Sequence, residues 1–348
     1  MAGTKTFLIN ASTRHAIYVN RYSGSQLKEM LPYLQRVKKA TAAELALGDL
    51  TDFSRKRLKK TLAEIEDITQ AVFDKMGGKL TSNMKKFATY EAGFTKKMLD
   101  QSAKVEFSKP SIAQIHAAVF SEPVLTLEDK GIVVQDVLDQ FSQKKAKQLI
   151  TTIQDGVILG KPNSDILKGM DYVIDTVMAE GLQSLIRTVT NHVSSVSRQE
   201  VYNNNEDIID GYEWVSTLDG RTTETCMALD GQVFEVGKGP MPPAHWGCRS
   251  TTIPVVKKEY NVMGLIDNQR PAVGADGPEQ DVSAKMDYQS WLKTQPNAFI
   301  DEVLGATKGA IFRDGGLTLD KFVDHNYQPL TLEQLKKAEP KAFDKAGL

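Results

Sequence analysis

Tyr212-Glu-Trp214-Val-Ser216-Thr-Leu218-Asp219-Gly-Arg221-Thr222-Thr-Glu-Thr-Cys226-Met-Ala-Leu229-Asp230-Gly231-Gln-Val-Phe234, followed by Pro242-Pro243-Ala-His245-Trp246-Gly-Cys248-Arg249-Ser250, holds both cysteines of the 348-residue chain and two of its three tryptophans. This stretch reads as a small β-rich knot. Residues 212–218 form a short β-like run. Asp219-Gly220 and Asp230-Gly231 are turn dipeptides, because Gly accepts positive φ and Asp can bond its own backbone. Thr251–Val256 is a further strand, which Pro254 confines to an edge or a bulge. The Pro242-Pro243 pair makes a rigid approach to His245.

Two chemistries compete for this stretch. Cys226, His245 and Cys248, spaced C-x18-H-x2-C, have the soft donors that suit zinc, and a structural zinc site takes four ligands. Asp219 or Asp230 is the candidate for the fourth. Alternatively the Cys and His side chains only pack the knot, with His245 bonded to an Asp, or the cysteines pair as a disulfide after release from a reducing cytoplasm. The second chemistry is ionic. A guanidinium fork pairs bidentately with a carboxylate, so Asp219 with Arg221 and Arg249 would tie two loops together. Gly-rich phosphate loops, H-E-x-x-H and G-x-S-x-G are absent from the sequence. A zinc deaminase signature is also lacking, since Trp246-Gly247 follows His245 where that signature needs an acid.

With these residues in place, the stretch resembles the core of the Mu F-like family of bacteriophage minor head, or head morphogenesis, proteins. That pattern runs Trp-x-Ser-x-Leu-Asp-x-Arg-Thr, Cys, Leu-Asp-Gly, an aromatic, Pro-Pro-x-His and Cys-Arg. It falls here on Trp214, Ser216, Leu218, Asp219, Arg221, Thr222, Cys226, Leu229, Asp230, Gly231, Phe234, Pro242, Pro243, His245, Cys248 and Arg249. Arg187-Thr188, in a preceding helix, extends it backward, and Tyr288 to Leu292 extends it weakly forward. The resemblance implies a minor component of a tailed-phage head, few per particle, that associates with the portal or inner head. Head assembly, DNA packaging or DNA ejection are the implied roles. Portal protein and major capsid or scaffolding protein are the implied partners, in the virion head and, during assembly, in the host cytoplasm. Similar domains are also fused to toxins, so the alternative is a metal-dependent nuclease or toxin-like enzyme centred on Cys226, His245 and Cys248. A plain DNA-binding protein is a third reading.

Working outward, composition is that of a water-soluble globular chain: 41% hydrophobic and 25% charged residues. No apolar run approaches the ~20 residues of a membrane span, and the apolar segment near the N-terminus is too short for a secretory signal. A cytoplasmic setting is expected. The net charge of −1 conceals an asymmetry, since residues 1–110 hold 20 Lys and Arg against 11 Asp and Glu. Arg55, Lys56, Arg57, Lys59, Lys60, Lys85, Lys86, Lys96 and Lys97 are the candidates for contact with DNA phosphates or an acidic partner. The competing reading is a solvated helical face.

Helical periodicity dominates the chain before the knot. Residues 7–22 are mixed in pattern and fit either a helix or an arm lying on another subunit, and His15 reads as a surface or helix-end residue. From Ser25 onward Leu27, Met30, Leu31, Leu34 and Val37 share a face. Leu58, Leu62, Ile65, Ile68, Val72 and Met76 form a second stripe, which Gly77-Gly78 should end. A third helix is expected at Met84–Met98. His116 and His192 read as a helix-face and a core residue. A helix should start at Thr126 with acids in its first turn. Another, capped by Asn163, should run to about Tyr202 with a break near Gly181. Residues 268–284 read as a linker. Helices follow at Tyr288–Phe312 and at Thr331–Leu335. The expected class is α+β, mainly α, in three parts: a basic helical region (1–125), a head-morphogenesis domain (126–260), and a linker with a helical tail (261–348).

Overall fold

In a computed structural model the chain is described over residues 3–46, 55–125, 127, 132–262 and 268–348. Two long helices set the frame. The first, α1 (Thr4–Ala46), buries Val19, Ser23, Gln26, Met30, Leu34, Val37, Thr41 and Leu45. Five of these positions recur 11 residues on, at 19/30, 23/34, 26/37, 30/41 and 34/45, a spacing of 3.67 per turn that lies close to the α-helical 3.6 and favours a slight right-handed supercoil. The second, α2 (Arg55–Ser102), repeats the pattern through Ile65, Thr69, Phe73, Met76, Leu80, Met84, Phe87, Glu91, Thr95 and Met98. At 43 and 48 residues they are about 65 and 72 Å long. They run antiparallel: Thr4 Oγ1 donates to the Ser102 carbonyl at 2.7 Å, and Asn83 Nδ2 donates to Gln26 Oε1 at 2.7 Å.

Residues 7–22 take the helical of their two readings, and two other expectations fail in this region. The helix begins at Thr4, well before the clear periodicity from Ser25. Its first turns bury polar side chains, Thr6, Asn10, Ser12 and Thr13 among them, so their hydrophobic pattern is weak. Gly77-Gly78 does not end α2, because continuous burial on both sides of the pair outweighs a glycine cost of about 1 kcal/mol each. His15 is buried, not at the surface. Its Nε2 lies 2.7 Å from Glu91 Oε1, its ring stacks on Phe94 at 3.5 Å, and Ser194 Oγ donates to the other Glu91 oxygen at 2.5 Å.

A short helix, α3 (Ile112–Ser121), opens with a capping box of Ser111 and Gln114. It is followed by α4 (Val134–Ile158). The start read at Thr126 lies outside the described residues. Then α5 (Asn163–Tyr172) runs through a π-helical turn at Val173–Met178 into α6 (Ala179–Asn203). Pro162, not Asn163, occupies the cap position. The helix does not break at Gly181. The irregularity is the π turn, whose Val177 carbonyl accepts from the buried Lys145 Nζ at 3.1 Å. A Cβ at Gly181 would sit 2.9 Å from Lys145 Cε, so glycine there makes room for that side chain.

Helix α6 is central, buried nearly all round from Thr188 to Tyr202. Several of its polar residues reach other elements. His192 Nε2 meets the Val119 carbonyl of α3 at 2.8 Å, and Ser194 meets Glu91 of α2. His192 is thus a core residue, as expected. The fully buried Arg198 donates to Thr251 Oγ1 at 2.5 Å and the Thr252 carbonyl at 2.7 Å.

After α6 come β1 (Ile209–Val215), β2 (Leu218–Asp219), α7 (Glu224–Leu229), β3 (Val233–Glu235) and β4 (Thr251–Val256). One antiparallel sheet has the order β3-β1-β4. Pro254 pairs with Tyr212 on the outer strand β4, where a missing N–H costs no ladder bond. Gly211 lets β3 approach, since a Cβ there would lie 2.3 Å from the Phe234 carbonyl oxygen. The supposed linker is instead a hairpin, β5 (Gln269–Val273) and β6 (Glu279–Ser283), and β2 joins it in parallel to β5. Short apolar content hid these strands, because β6 is mostly exposed. The tail forms α8 (Tyr288–Leu292), α9 (Asn297–Leu304), α10 (Ala306–Arg313), α11 (Leu332–Ala338) and α12 (Pro340–Lys345). Thr331 and Gln334 make the capping box of α11. Trp291, Phe312, Phe322 and Phe343 share one apolar cluster with Leu218 and Met227 of the knot. The class is α+β, mainly α. No helix of the described residues is long and apolar enough to cross a membrane.

Candidate functional site

The knot is built on β1. Trp214 is fully buried, and its Nε1 donates to Ser216 Oγ at 2.9 Å. Ser216 Oγ in turn donates to the Cys226 carbonyl at 2.6 Å. Asp230 Oδ1 accepts from the Ser216 amide and Oδ2 from the Tyr288 amide, both at 2.6 Å, with Arg270 Nη1 3.6 Å away. Burial pushes the Asp230 carboxyl above the usual range, partly offset by Arg270 and the two amides. Gly231 makes the turn into β3 with φ of 81°. The Pro242-Pro243 bond is cis.

Asp219 is the centre of the ionic cluster. Its Oδ1 accepts from Arg249 Nη2 at 2.8 Å, from the Arg221 amide at 3.1 Å and from Thr222 Oγ1 at 3.2 Å. Arg249 Nη1 holds Oδ2, and the exposed Arg221 side chain reaches it at 3.4 Å. Burial would raise this carboxyl, but the Arg249 hydrogen bonds and charge hold it below the usual carboxylate range. Arg187 comes toward this cluster from α6. Its guanidinium is lowered by burial and by repulsion from Arg249 and Arg221. Thr188, beside it, accepts from the Gly247 amide at 2.9 Å and so pins the loop between His245 and Cys248. Asn191 does the same one turn on, donating to the Cys248 carbonyl at 2.9 Å. Asn191 and Arg270 carry no motif and were missed in the sequence, and Tyr288, part of the weak forward extension, was not assigned to the knot. Only their position against the knot marks them.

Cys226, His245 and Cys248 come together, with their candidate donor atoms within 4.8 Å of one another. The sulfurs are 3.7 Å apart and not bonded, and Cys226 Sγ is 3.2 Å from His245 Nε2. His245 Nδ1 faces the Trp246 carbonyl at 3.0 Å. With the proton on Nδ1, the Nε2 lone pair turns inward, as in a metal-binding imidazole oriented by a backbone carbonyl. In the buried thiol pair, Cys226 is pushed up by its hydrogen bond to Cys248 and by burial. Cys248 is held down, against burial, by Cys226 and His245. Zn–S bonds of about 2.3 Å at a tetrahedral angle place two sulfurs about 3.8 Å apart, so the spacing fits zinc. The fourth ligand expected from Asp219 or Asp230 is not supplied, since both are spent on arginines and backbone amides. Among the described residues this group holds three donors. A space of about 20 Å³ beside them, lined by Thr223, Arg221 and Ser250, holds about one water.

The basic residues do not converge. They are strung along α2, with Lys59 and Lys97 about 57 Å apart at helical rise. Lys59, Lys60, Lys85, Lys86 and Lys97 are exposed. Lys60 meets Glu64 at 3.5 Å, and Lys96 is bound to Asp100 at 2.7 Å with Glu106 at 3.5 Å. Arg57 is exposed on the first turns of the helix. The side chains of Arg55 and Lys56 lie outside the described residues.

The features above define a helix-backed domain whose β-knot is pinned by one ionic cluster and one Cys–His cluster. Residues 147–253 match the family model described as Phage Mu protein F like protein. This segment, from the middle of α4 to the first half of β4, is a Mu F-like domain, which associates the chain with the morphogenesis of phage heads. No curated protein and no solved structure matches the chain.

Proposed function

We propose that the protein is a minor head protein of a tailed bacteriophage, bound at the portal or inner capsid wall and acting in head assembly or in the passage of DNA. The match of residues 147–253 to the Mu F-like family carries this reading. The long α1–α2 pair supports it, offering an extended surface for protein contacts. The knot serves as a rigid, non-catalytic element in which Cys226, His245 and Cys248 supply three donors to a zinc ion and a water in the adjoining space supplies the fourth, so that metal binding adds to folding. Exposed lysines of α2 add weak, sequence-independent contact with DNA or with an acidic protein surface. Mass spectrometry of purified proheads and virions, with pull-down by the portal protein, tests the assignment. Absence from both particles ends it. A nuclease assay tests the competing reading: cleavage lost in His245→Ala with folding intact would replace the structural role with an enzymatic one.

A further inference from the structure

The ionic cluster is one wall of a pocket of about 340 Å³ between α1, the β2 turn, the start of β4 and β5. Four arginines line it, Arg21, Arg187, Arg221 and Arg249, against two carboxylates, Asp219 and Glu279. Arg249 spends both arms of its fork on Asp219. Arg187 has no such partner. Its Nε is buried without a hydrogen-bond acceptor, and no ion pair is formed by it among the described residues. A half-buried guanidinium with an unmet N–H, set beside two further guanidinium groups, is an arrangement that an anion stabilises and water serves poorly. The rest of the lining is mixed: Ala16, Ile17, Leu218, Pro271, Ala272 and Val273 give it an apolar side, and Thr13, Asn20, Ser216, Thr217 and Thr251 add neutral polar groups. A half-open pocket with an apolar side and convergent charged groups is a form a small-ligand site takes.

We propose that this pocket binds a carboxylate carried next to an apolar group, with Arg187 as the receiving fork. A planar monoanion matches the guanidinium edge. Phosphate fits less well, because Glu279 opposes a second negative charge and the apolar side formed by Ile17, Leu218 and Pro271 matches a hydrocarbon group better than a hydrated phosphate. A free organic acid and the C-terminus of a protein chain share this chemistry. The proposal goes beyond the head-protein reading and stands or falls independently of it.

The test uses the full chain labelled with 15N-arginine, following Nε–Hε signals. The Arg187 signal is assigned by its loss in Arg187→Gln. N-acetyl-leucine, a mimic of a chain end, and hexanoate, a free acid, are titrated against N-acetyl-leucine amide and inorganic phosphate. The expected result is a saturable shift at Arg187 with the carboxylates and none with the amide. By calorimetry, Arg187→Gln should weaken binding about tenfold or more, as expected for one charged hydrogen-bonded contact. Arg21→Gln, at the exposed rim, should weaken it in the same direction and covers the case in which Arg187→Gln does not fold. Tighter binding of N-acetyl-leucine than of hexanoate assigns a chain end, and the reverse order a free acid. No saturable shift with either carboxylate, equal response to the amide, or preference for phosphate overturns the proposal.

Discussion

Removing the Asp219 carboxylate should be among the most damaging single changes in the knot. The side chains of Asp219 and Arg249 are 5% and 13% exposed, so Asp219→Ala leaves a nearly buried guanidinium without its counter-ion. It also strips the Arg221 amide and Thr222 hydroxyl of their common acceptor. Breaking a buried pair from one side costs about 3–5 kcal/mol, and that is the loss expected here. Arg249→Ala should cost a similar amount, because it leaves the carboxylate buried. Arg221→Ala should cost less than about 1 kcal/mol, since that side chain is 81% exposed and its pairing is screened. The double variant Asp219→Ala/Arg249→Ala should be little worse than either single, giving a coupling of about 3 kcal/mol. Urea unfolding followed by tryptophan fluorescence is the assay, because Trp214 is fully buried in the knot. Two singles that each cost under about 1 kcal/mol and add in the double would refute the claim that this fork holds the β2 turn to the start of β4.

Other outcomes follow from the same geometry. Elemental analysis of the purified protein should find zinc near one per chain. Cys226→Ser, His245→Ala and Cys248→Ser should each abolish it and lower the melting temperature, and full retention of stability in a metal-free protein would remove the structural role. Stability should also fall in mild acid because of His192. Its ring is buried against the Val119 carbonyl, and burial lowers its pKa to about 4. The unfolded ring takes up a proton from about pH 6.5 downward, while the folded ring does not until about pH 4. The unfolded state therefore gains protons first, and up to about 3 kcal/mol is lost between these values. Glu122 and Glu200 are the charged groups that line a pocket together with His192. A His192→Gln variant should lose this slope between pH 6.5 and 4; an unchanged slope would show that other groups carry it.

Much of this protein was readable from local sequence. The mainly helical class, a strand through Tyr212 (read at 212–218, found at 209–215), the strand at 251–256, the confinement of Pro254 to an edge or a bulge and the Mu F-like pattern follow from periodicity, turn dipeptides and a long gapped motif. These signals are short-range, so a linear reading captures them. The partners were not readable. The C-x18-H-x2-C spacing suggested a metal ligand set, yet whether Asp219 or Asp230 completed it depended on where Arg249 and Arg270 came to rest. Gly77-Gly78 looked like a helix end because glycine is locally unfavourable, and long-range burial on both flanks decided otherwise. His15 and Glu91 lie far apart in sequence among polar neighbours, and only the antiparallel pairing of α1 with α2 makes them a buried contact. The hairpin at 269–283 had too little apolar alternation to announce itself, and its register came from pairing with β2. Local sequence determined which segments became helix or strand; tertiary packing decided which charges met, because opposing buried charges are chosen by distance in space and not by spacing along the chain.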